Sequence, residues 1–419
     1  MEKKLSNIFK GDKVIWMVFF FLCVISIVEV FSASSGLTYK SNNFIMPMVK
    51  HSGTLLFGLA IVVTTLNIPC RYFKLMTPLL LAASFLLLVL VLFIGDKAND
   101  ASRQMSLLGL SVQPSEIAKG SLILTVAQIL SATQQEYGAD RSAIKFIMAL
   151  TVPMTILIMI ENLSTAALLF LVVLIMMFIG RVPNRQLGKL VGGIVLMGVI
   201  AISAVMLVGH DTSAQKASLT KTEQVEEQGK KKEEGTIDKM FHRADTWKSR
   251  IVKFMSNEEV APEDYDLDKD AQVAHANIAI VSSNFIGKGP GNSVERDFLA
   301  QAFSDFIYAI IIEELGILGA AAVVMLYIIL LFRTARIANR CENNFPAFFA
   351  MGLALLLVVQ ATFNMAVAVG FVPVTGQPLP LISKGGTSTI INCAYIGVIL
   401  SVSRSAKKKK DAAPLTAES

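Results

Sequence analysis

The stretch "VIWMVFFFLCVISIVEVF", Val14–Phe31, decides the class of the chain. Lys3, Lys4, Lys10 and Lys13 precede it, and Ser32-Ala33-Ser34 follow. That order is shared by cleaved secretory signals and by first membrane spans. A signal's apolar region runs about 7–15 residues, whereas a span needs about 20. At about 18 residues the run is long for a signal, and it is read as a retained transmembrane helix.

Working outward, similar apolar runs place ten helices near 14–34, 50–68, 74–95, 114–135, 144–160, 163–181, 189–209, 305–332, 346–370 and 385–402. Composition agrees. Of 419 residues, 53% are hydrophobic and 17% charged, and the mean hydropathy is +0.58. These values exclude an ordinary soluble domain and predict an all-α integral membrane protein. The net charge of +6 does not point to nucleic acid, because Lys and Arg sit in short clusters between apolar stretches. Cys23, Cys70, Cys341 and Cys393, like His51, His210, His242 and His275, are scattered without a CxxC or Cys/His array. No zinc or disulfide framework is expected.

The basic clusters also orient the chain, since cytoplasmic connections are enriched in Lys and Arg. Lys3–Lys13, Arg71 and Lys74, Arg141 and Lys145, Arg181, Arg185 and Lys189, Arg333, Arg336 and Arg340, and the tail with Arg404 and Lys407–Lys410 fall on one side. The opposite connections carry mainly Lys40, Lys97 and Arg103. The expected organisation is a cytoplasmic N-terminus over 1–13, helices 1–7 over 14–209, an extracytoplasmic loop over 210–304, helices 8–10 over 305–402 and a basic cytoplasmic tail over 403–419. Within the loop, "KTEQVEEQGKKKEEGTIDK" reads as a solvated insertion that cannot bury a core. "HRADTWKSRIVKF" reads as a short amphipathic surface helix.

Four polar clusters lie at the outer ends of the spans. In "DASRQMSLLGLSVQPSEIAKG", Pro114 suits a helix's first turn. Glu116 and Lys119 are either a mutually neutralising i,i+3 pair or part of a site. "IENLSTAAL" (160–168) reads as an interfacial turn with a Ser/Thr helix cap or as part of the same site. The glycines of "GKGPGNSVERDFLAQAFSDF" (287–306) either make turns or bring backbone N–H groups up to a phosphate or sugar. "VPVTGQPLPLISKGGTS" (372–388) cannot be a continuous helix, and irregular backbone at membrane depth is tolerated where it lines a cavity or is buried in protein. Cations, backbone donors and a carboxylate beside an apolar interior suit a lipid-linked substrate with a pyrophosphate head.

The same pieces, "ASR" with "QPSEIAK", "NLSTA", "GKGPGNSVERDFL", "SDFIYAIIIEELGILG" and "VPVTGQPLPLISKGGTS", resemble in order and spacing the SEDS proteins (shape, elongation, division and sporulation), from the first span to the last. "GPGNSVER" is similar to the cell-division branch rather than the elongation branch. The resemblance implies a peptidoglycan glycosyltransferase that polymerises lipid II, an undecaprenyl-pyrophosphate disaccharide-pentapeptide, on the outer face of the bacterial cytoplasmic membrane at the septum. It implies a class B penicillin-binding protein as the cross-linking partner, other septal division proteins and membrane lipid around it. Asp305 is the catalytic residue it implies, with Arg103, Gln113, Glu116, Lys119, Asn292, Ser293, Ser304, Thr375, Ser383, Gly385 and Gly386 binding substrate. A divalent cation, Mg or Mn, is chemically compatible with the pyrophosphate, but no ligand set is evident. Four motifs depart from the family pattern. Phe303-Ser304 stands for the usual His-Thr, Gln104 for Trp, Glu161-Asn162-Leu163-Ser164-Thr165 for Pro-Asp-Leu-Gly-Thr, and Lys384 for Tyr.

Two other function classes compete. A lipid-linked precursor flippase would need ionisable groups near the midplane, reachable from both sides, whereas the clusters above map to the outer third. A non-catalytic scaffold for division partners is the other, and an inactive variant of the family would fit it. Of the carboxylates in "SDFIYAIIIEELG", Glu313 and Glu314 lie 8 and 9 residues beyond Asp305, about 12–13.5 Å along a continuous helix. Rotated about 80° and 180° from Asp305, they are assigned to structure. Asp305 is left as the general base, and a helix cap is its rival role.

Overall fold

Each long apolar run folds as a helix, because inside a bilayer only a helix satisfies every backbone N–H and C=O within one segment. The computed structural model describes residues 10–38, 46–94, 96–98, 101–107, 110–208, 271–299 and 302–411. The helices are α1 (Lys13–Thr38), α2 (Met46–Asn67), α3 (Cys70–Ile94), α4 (Pro114–Ala132), α5 (Ser142–Glu161), α6 (Leu163–Ile179), α7 (Asn184–Val208), α8 (Ala271–Val281), α9 (Ile307–Ala338), α10 (Asn344–Ala368) and α11 (Thr387–Asp411). All but α8 coincide with the ten expected spans. Among the described residues, seven helices are long and apolar enough to cross a membrane, and the protein is a multi-pass membrane protein. The charged insertion and the expected surface helix at 242–254 lie outside the described residues.

The chain divides into two units. The larger comprises 1–186, 267–371 and 375–419. In it α2 packs along α11, α9 along α10, and α4 against both α3 and α10. Buried side chains run round α4, polar Ser115, Glu116 and Lys119 among them, as expected of a helix with neighbours on all sides. The smaller unit comprises 187–266 and 372–374, and its main described element is the body of α7.

Three details depart from the sequence expectation. A three-stranded antiparallel sheet, β1 (Asp96–Ala98), β2 (Ala101–Leu107) and β3 (Leu110–Val112), fills the connection from α3 to α4. A second hairpin, β4 (Gln134–Gln135) and β5 (Gly138–Ala139), joins α4 to α5. The eighth span, expected to start at Asp305 and run unbroken, starts at Ile307 and breaks at Gly316, whose φ of 69° and ψ of −173° are not helical. The break is chemically closed. The carbonyls of Glu313 and Glu314 accept the N–H groups of Lys288 (3.0 Å) and Gly289 (2.8 Å), and the Leu318 N–H reaches the Phe285 carbonyl at 3.4 Å.

Candidate functional site

The carboxylate singled out by sequence lies in the turns just before α9. Asp305 is half-buried, and Ser304 Oγ donates to its Oδ1 at 2.9 Å. The N-cap position belongs to Phe306, one residue on. Against Asp305 lies a strap, residues 375–386, between α10 and α11. A Cβ placed on Gly376 would meet Asp305 Oδ2 at 3.5 Å, and Gly376 has φ +68°. The strap therefore walls the carboxylate with bare backbone, in a conformation that favours glycine.

Buried side chains hold the strap from behind. Asn364 of α10 donates from Nδ2 to the carbonyls of Asp305 (2.8 Å) and Gln377 (2.7 Å). Gln360, one turn earlier, donates from Nε2 to the Pro378 carbonyl at 3.1 Å. Its Oε1 accepts the Lys119 ammonium at 2.9 Å, and Lys119 also bonds Glu116 Oε1 at 2.8 Å. Gln377 Nε2 donates to Thr165 Oγ1 at 2.7 Å. Ser383 Oγ donates to the Ser304 carbonyl at 2.6 Å and accepts from the Leu379 N–H at 2.7 Å. Glu116 and Lys119 thus reach Asp305's neighbourhood through amides. The Lys119 side chain is 0% exposed, turned into the bundle and away from any open cleft.

The glycine-rich loop is brought to α9 rather than left open to a ligand. Glu314 accepts the N–H groups of Gly291 (3.0 Å) and Ser293 (3.2 Å) and the Ser32 hydroxyl. Glu313 accepts the Lys288 ammonium (2.6 Å), the Val294 N–H (3.1 Å) and the Ser293 hydroxyl. The donors read from sequence as candidates for a substrate anion are taken by two internal anions. Both glutamates are 0% exposed, and their assignment to structure agrees with these bonds. Gly287, at φ +83°, touches the break in α9 so closely that a Cβ would strike the Glu314 carbonyl.

The remaining expected residues fall as follows. Arg103 is in β2, opposite the irregularity between Asp96 and Lys97. Gln113 is the N-cap of α4, its side chain making no capping bond. Asn292 is exposed and donates to the Lys288 carbonyl at 2.9 Å. Thr375 Oγ1 is buried and has no partner among the described residues. Gly385 and Gly386 lead into α11. In "IENLSTAAL" the cap is Asn162, whose Oδ1 accepts the N–H groups of Ser164 (3.0 Å) and Thr165 (3.2 Å), rather than a Ser or Thr. Gln360, Asn364 and Gln377 were missed by sequence reasoning. Two amides four residues apart in an apolar span were the available signal.

Two of the positions that depart from the family pattern touch each other. The Lys384 N–H donates to the Phe303 carbonyl at 3.0 Å, and its ammonium sits 4.9 Å from the Phe303 ring centroid. Burial, then the Lys50 cation, holds the Lys384 ammonium below the usual lysine range.

Comparison with known proteins places the chain in a family. A family model described as "Cell cycle protein", FtsW/RodA/SpoVE, matches residues 12–233 and 234–408. The chain is 28% identical over 403 residues to a protein of Geobacter sulfurreducens named probable peptidoglycan glycosyltransferase FtsW, covering 95% of this chain and 96% of that one. A protein of the same name from Trichlorobacter lovleyi is 29% identical over 412 residues, covering 97% and 95%. Among solved structures, a chain from work titled "Structural coordination of polymerization and crosslinking by a peptidoglycan synthase complex" superposes with TM-score 0.69 at 22% identity, covering 94% of this chain and 98% of that chain. RodA of Thermus thermophilus superposes with TM-score 0.60 at 23% identity, covering 95% and 98%. At those identities the structures speak for the fold.

Proposed function

Because the chain belongs to the FtsW/RodA/SpoVE family of cell cycle proteins, we propose that it is a peptidoglycan glycosyltransferase that polymerises lipid II into glycan strands, with Asp305 as general base. The names of the relatives support the activity. The observation that carries the role of Asp305 is its setting: a half-buried carboxylate before α9, with Ser304 on one oxygen and Gly376 beside the other.

In the reaction a sugar hydroxyl of the acceptor attacks the anomeric carbon of the donor, and polyprenyl pyrophosphate departs. Asp305 accepts the hydroxyl's proton as the new glycosidic bond forms. The pyrophosphate is already a good leaving group, so one base suffices and a paired acid is unnecessary. Such a base contributes ~10²–10⁴-fold in rate. The Ser304 hydroxyl orients the carboxylate. A Mg or Mn ion serving the reaction would be held mainly by the substrate's own phosphate oxygens.

The wider setting follows the same reading. The chain works at the division septum in the bacterial cytoplasmic membrane, both termini cytoplasmic and 210–304 outside, beside a class B penicillin-binding protein and other septal proteins. The Lys/Arg asymmetry supports the orientation. The shared fold with a chain of a peptidoglycan synthase complex supports a cross-linking partner.

Asp305→Asn tests the proposal. Asn keeps the shape and its hydrogen-bond acceptor but cannot take the proton. The expected result is a folded, partner-binding protein that makes no glycan polymer from purified lipid II. Near-normal polymerisation would end the general-base reading, whereas no polymer from the wild-type protein would favour a flippase or a scaffold.

A further inference from the structure

At the end of the bundle carrying the 134–139 hairpin, a cavity of about 590 Å³ opens beside the C-terminus of α6. It is independent of the Asp305 site. Its lining pairs apolar Phe178 and Ile179 with Tyr137, Arg181 and Asn184, while Glu136 and Asp140 line the adjoining cavity on the hairpin side, which shares Tyr137, Arg181 and Pro183. Tyr137 is 91% exposed and Phe178 65%, so an aromatic hydroxyl and an apolar ring both face outward. Among the described residues, no hydrogen-bond or ion-pair partner holds the Arg181 guanidinium. A cation beside an exposed apolar ring matches an amphiphile with an anionic head.

The backbone is built to keep Arg181 there. Helix α6 ends with the Arg181 N–H on the Phe178 carbonyl (3.0 Å) and the Val182 N–H on the Met177 carbonyl (3.1 Å). In this ending the residue at Arg181's place adopts a left-handed conformation and is ordinarily glycine. Arg181 adopts it with φ 54°. The hairpin then locks on, with the Ala139 N–H reaching the carbonyls of Gly180 (3.2 Å) and Arg181 (3.3 Å). Gly138, at φ +140°, passes so close that a Cβ would strike the Arg181 carbonyl. Strained positions held by their surroundings cluster where a side chain has a task.

We propose that this cavity binds the phosphodiester headgroup of an anionic phospholipid, with Arg181 on the phosphate, Tyr137 at the headgroup level and Phe178 and Ile179 against the acyl chains. Tyrosine at the headgroup depth and arginine on lipid phosphate are the side-chain types that membrane interfaces favour.

The full-length protein, purified in detergent and stripped of loosely held lipid, is offered phosphatidylglycerol, phosphatidylcholine or inorganic phosphate, and bound species are counted by native mass spectrometry. Wild type should retain phosphatidylglycerol at least fivefold over phosphatidylcholine. Arg181→Gln should cut that retention at least threefold, and Tyr137→Ala should cut it less. Arg181→Gly controls for folding: glycine suits the left-handed position, so its Tm should equal or exceed that of wild type while the lipid is lost. Retention of phosphatidylglycerol by Arg181→Gly and Arg181→Gln at the wild-type level would overturn the proposal. So would equal retention of phosphatidylcholine, or occupancy by inorganic phosphate with no lipid held.

Discussion

Replacing Lys119 by Met tests whether the buried cation holds the strap or meets the substrate. The Lys119 side chain is 0% exposed and that of Glu116 3%. Removing the ammonium leaves the Glu116 carboxylate uncompensated, and Glu116 Oε2 already lacks a partner among the described residues. Breaking a buried pair on one side costs about 3–5 kcal/mol, and leaving Gln360 Oε1 without its donor adds about 1–3 kcal/mol. Glu116→Gln alone strands the cation in the same way. The double variant Lys119→Met with Glu116→Gln removes both charges together and loses less than the sum of the singles, by about 2 kcal/mol or more. Unfolding of the purified protein by titrated SDS gives the three free energies. On the activity side, Gln360 untethered from Lys119 loosens the Pro378 carbonyl and with it the strap beside Asp305. Lys119→Met should therefore lower kcat for glycan polymerisation with little change in KM for lipid II. Additive stabilities in the double variant, or a raised KM at unchanged kcat, would refute the reasoning and put the cation in contact with substrate.

Gly287→Ala forces a side chain into a left-handed conformation, at about 1–2 kcal/mol, and against the Glu314 carbonyl. The total loss should exceed about 2 kcal/mol in SDS unfolding, and a smaller loss would mean the loop does not grip the break in α9. Asn162→Ala removes the cap of α6 and should cost about 1 kcal/mol, whereas Asn162→Asp should stay near wild type in the same assay. A reporter active only in the cytoplasm, inserted near residue 225, should stay silent, and activity there would reverse the proposed topology.

The spans were legible because hydropathy is a local property that each run of residues carries by itself. The run at Val14–Phe31 needed no knowledge of its neighbours to be read as α1. The break at Gly316 was not legible, because a glycine inside an apolar run interrupts a helix only if partners wait for the freed carbonyls. Those partners, Lys288 and Gly289, lie more than 20 residues upstream in a different loop. For the same reason the loop's N–H groups read as vacant for an anion. The carboxylates that fill them, Glu313 and Glu314, stand in the next helix. The sequence left Glu116 and Lys119 as either an i,i+3 pair or part of a site, and the pairing was visible because helix geometry alone sets that contact. Their attachment to Gln360 was invisible, since it joins residues 241 positions apart.

The strap explains why so many polar side chains are buried around Asp305. Pro378 and Pro380 supply carbonyls but no N–H, so this stretch of backbone cannot satisfy itself by pairing in regular structure. The Leu379 carbonyl is met inside the strap by the Ile382 and Ser383 N–H groups, and four other carbonyls each take a donor from the helices. Asn364 serves Gln377, Gln360 serves Pro378, Tyr327 serves Pro380, and Ser26 serves Ile382 at 2.6 Å. The four donors come from α1, α9 and α10, so the strap is fixed relative to three helices at once. Irregular backbone satisfied in this way is what protein at membrane depth tolerates. The proline content that rules out a helix thus also dictates the buried amides and hydroxyls. Those bonds in turn fix where Gly376 stands against the Asp305 carboxylate. The base proposed above must meet one hydroxyl of a bulky lipid-linked sugar and would gain from such a wall, because a misplacement of about 1 Å can cost ~10²-fold in rate.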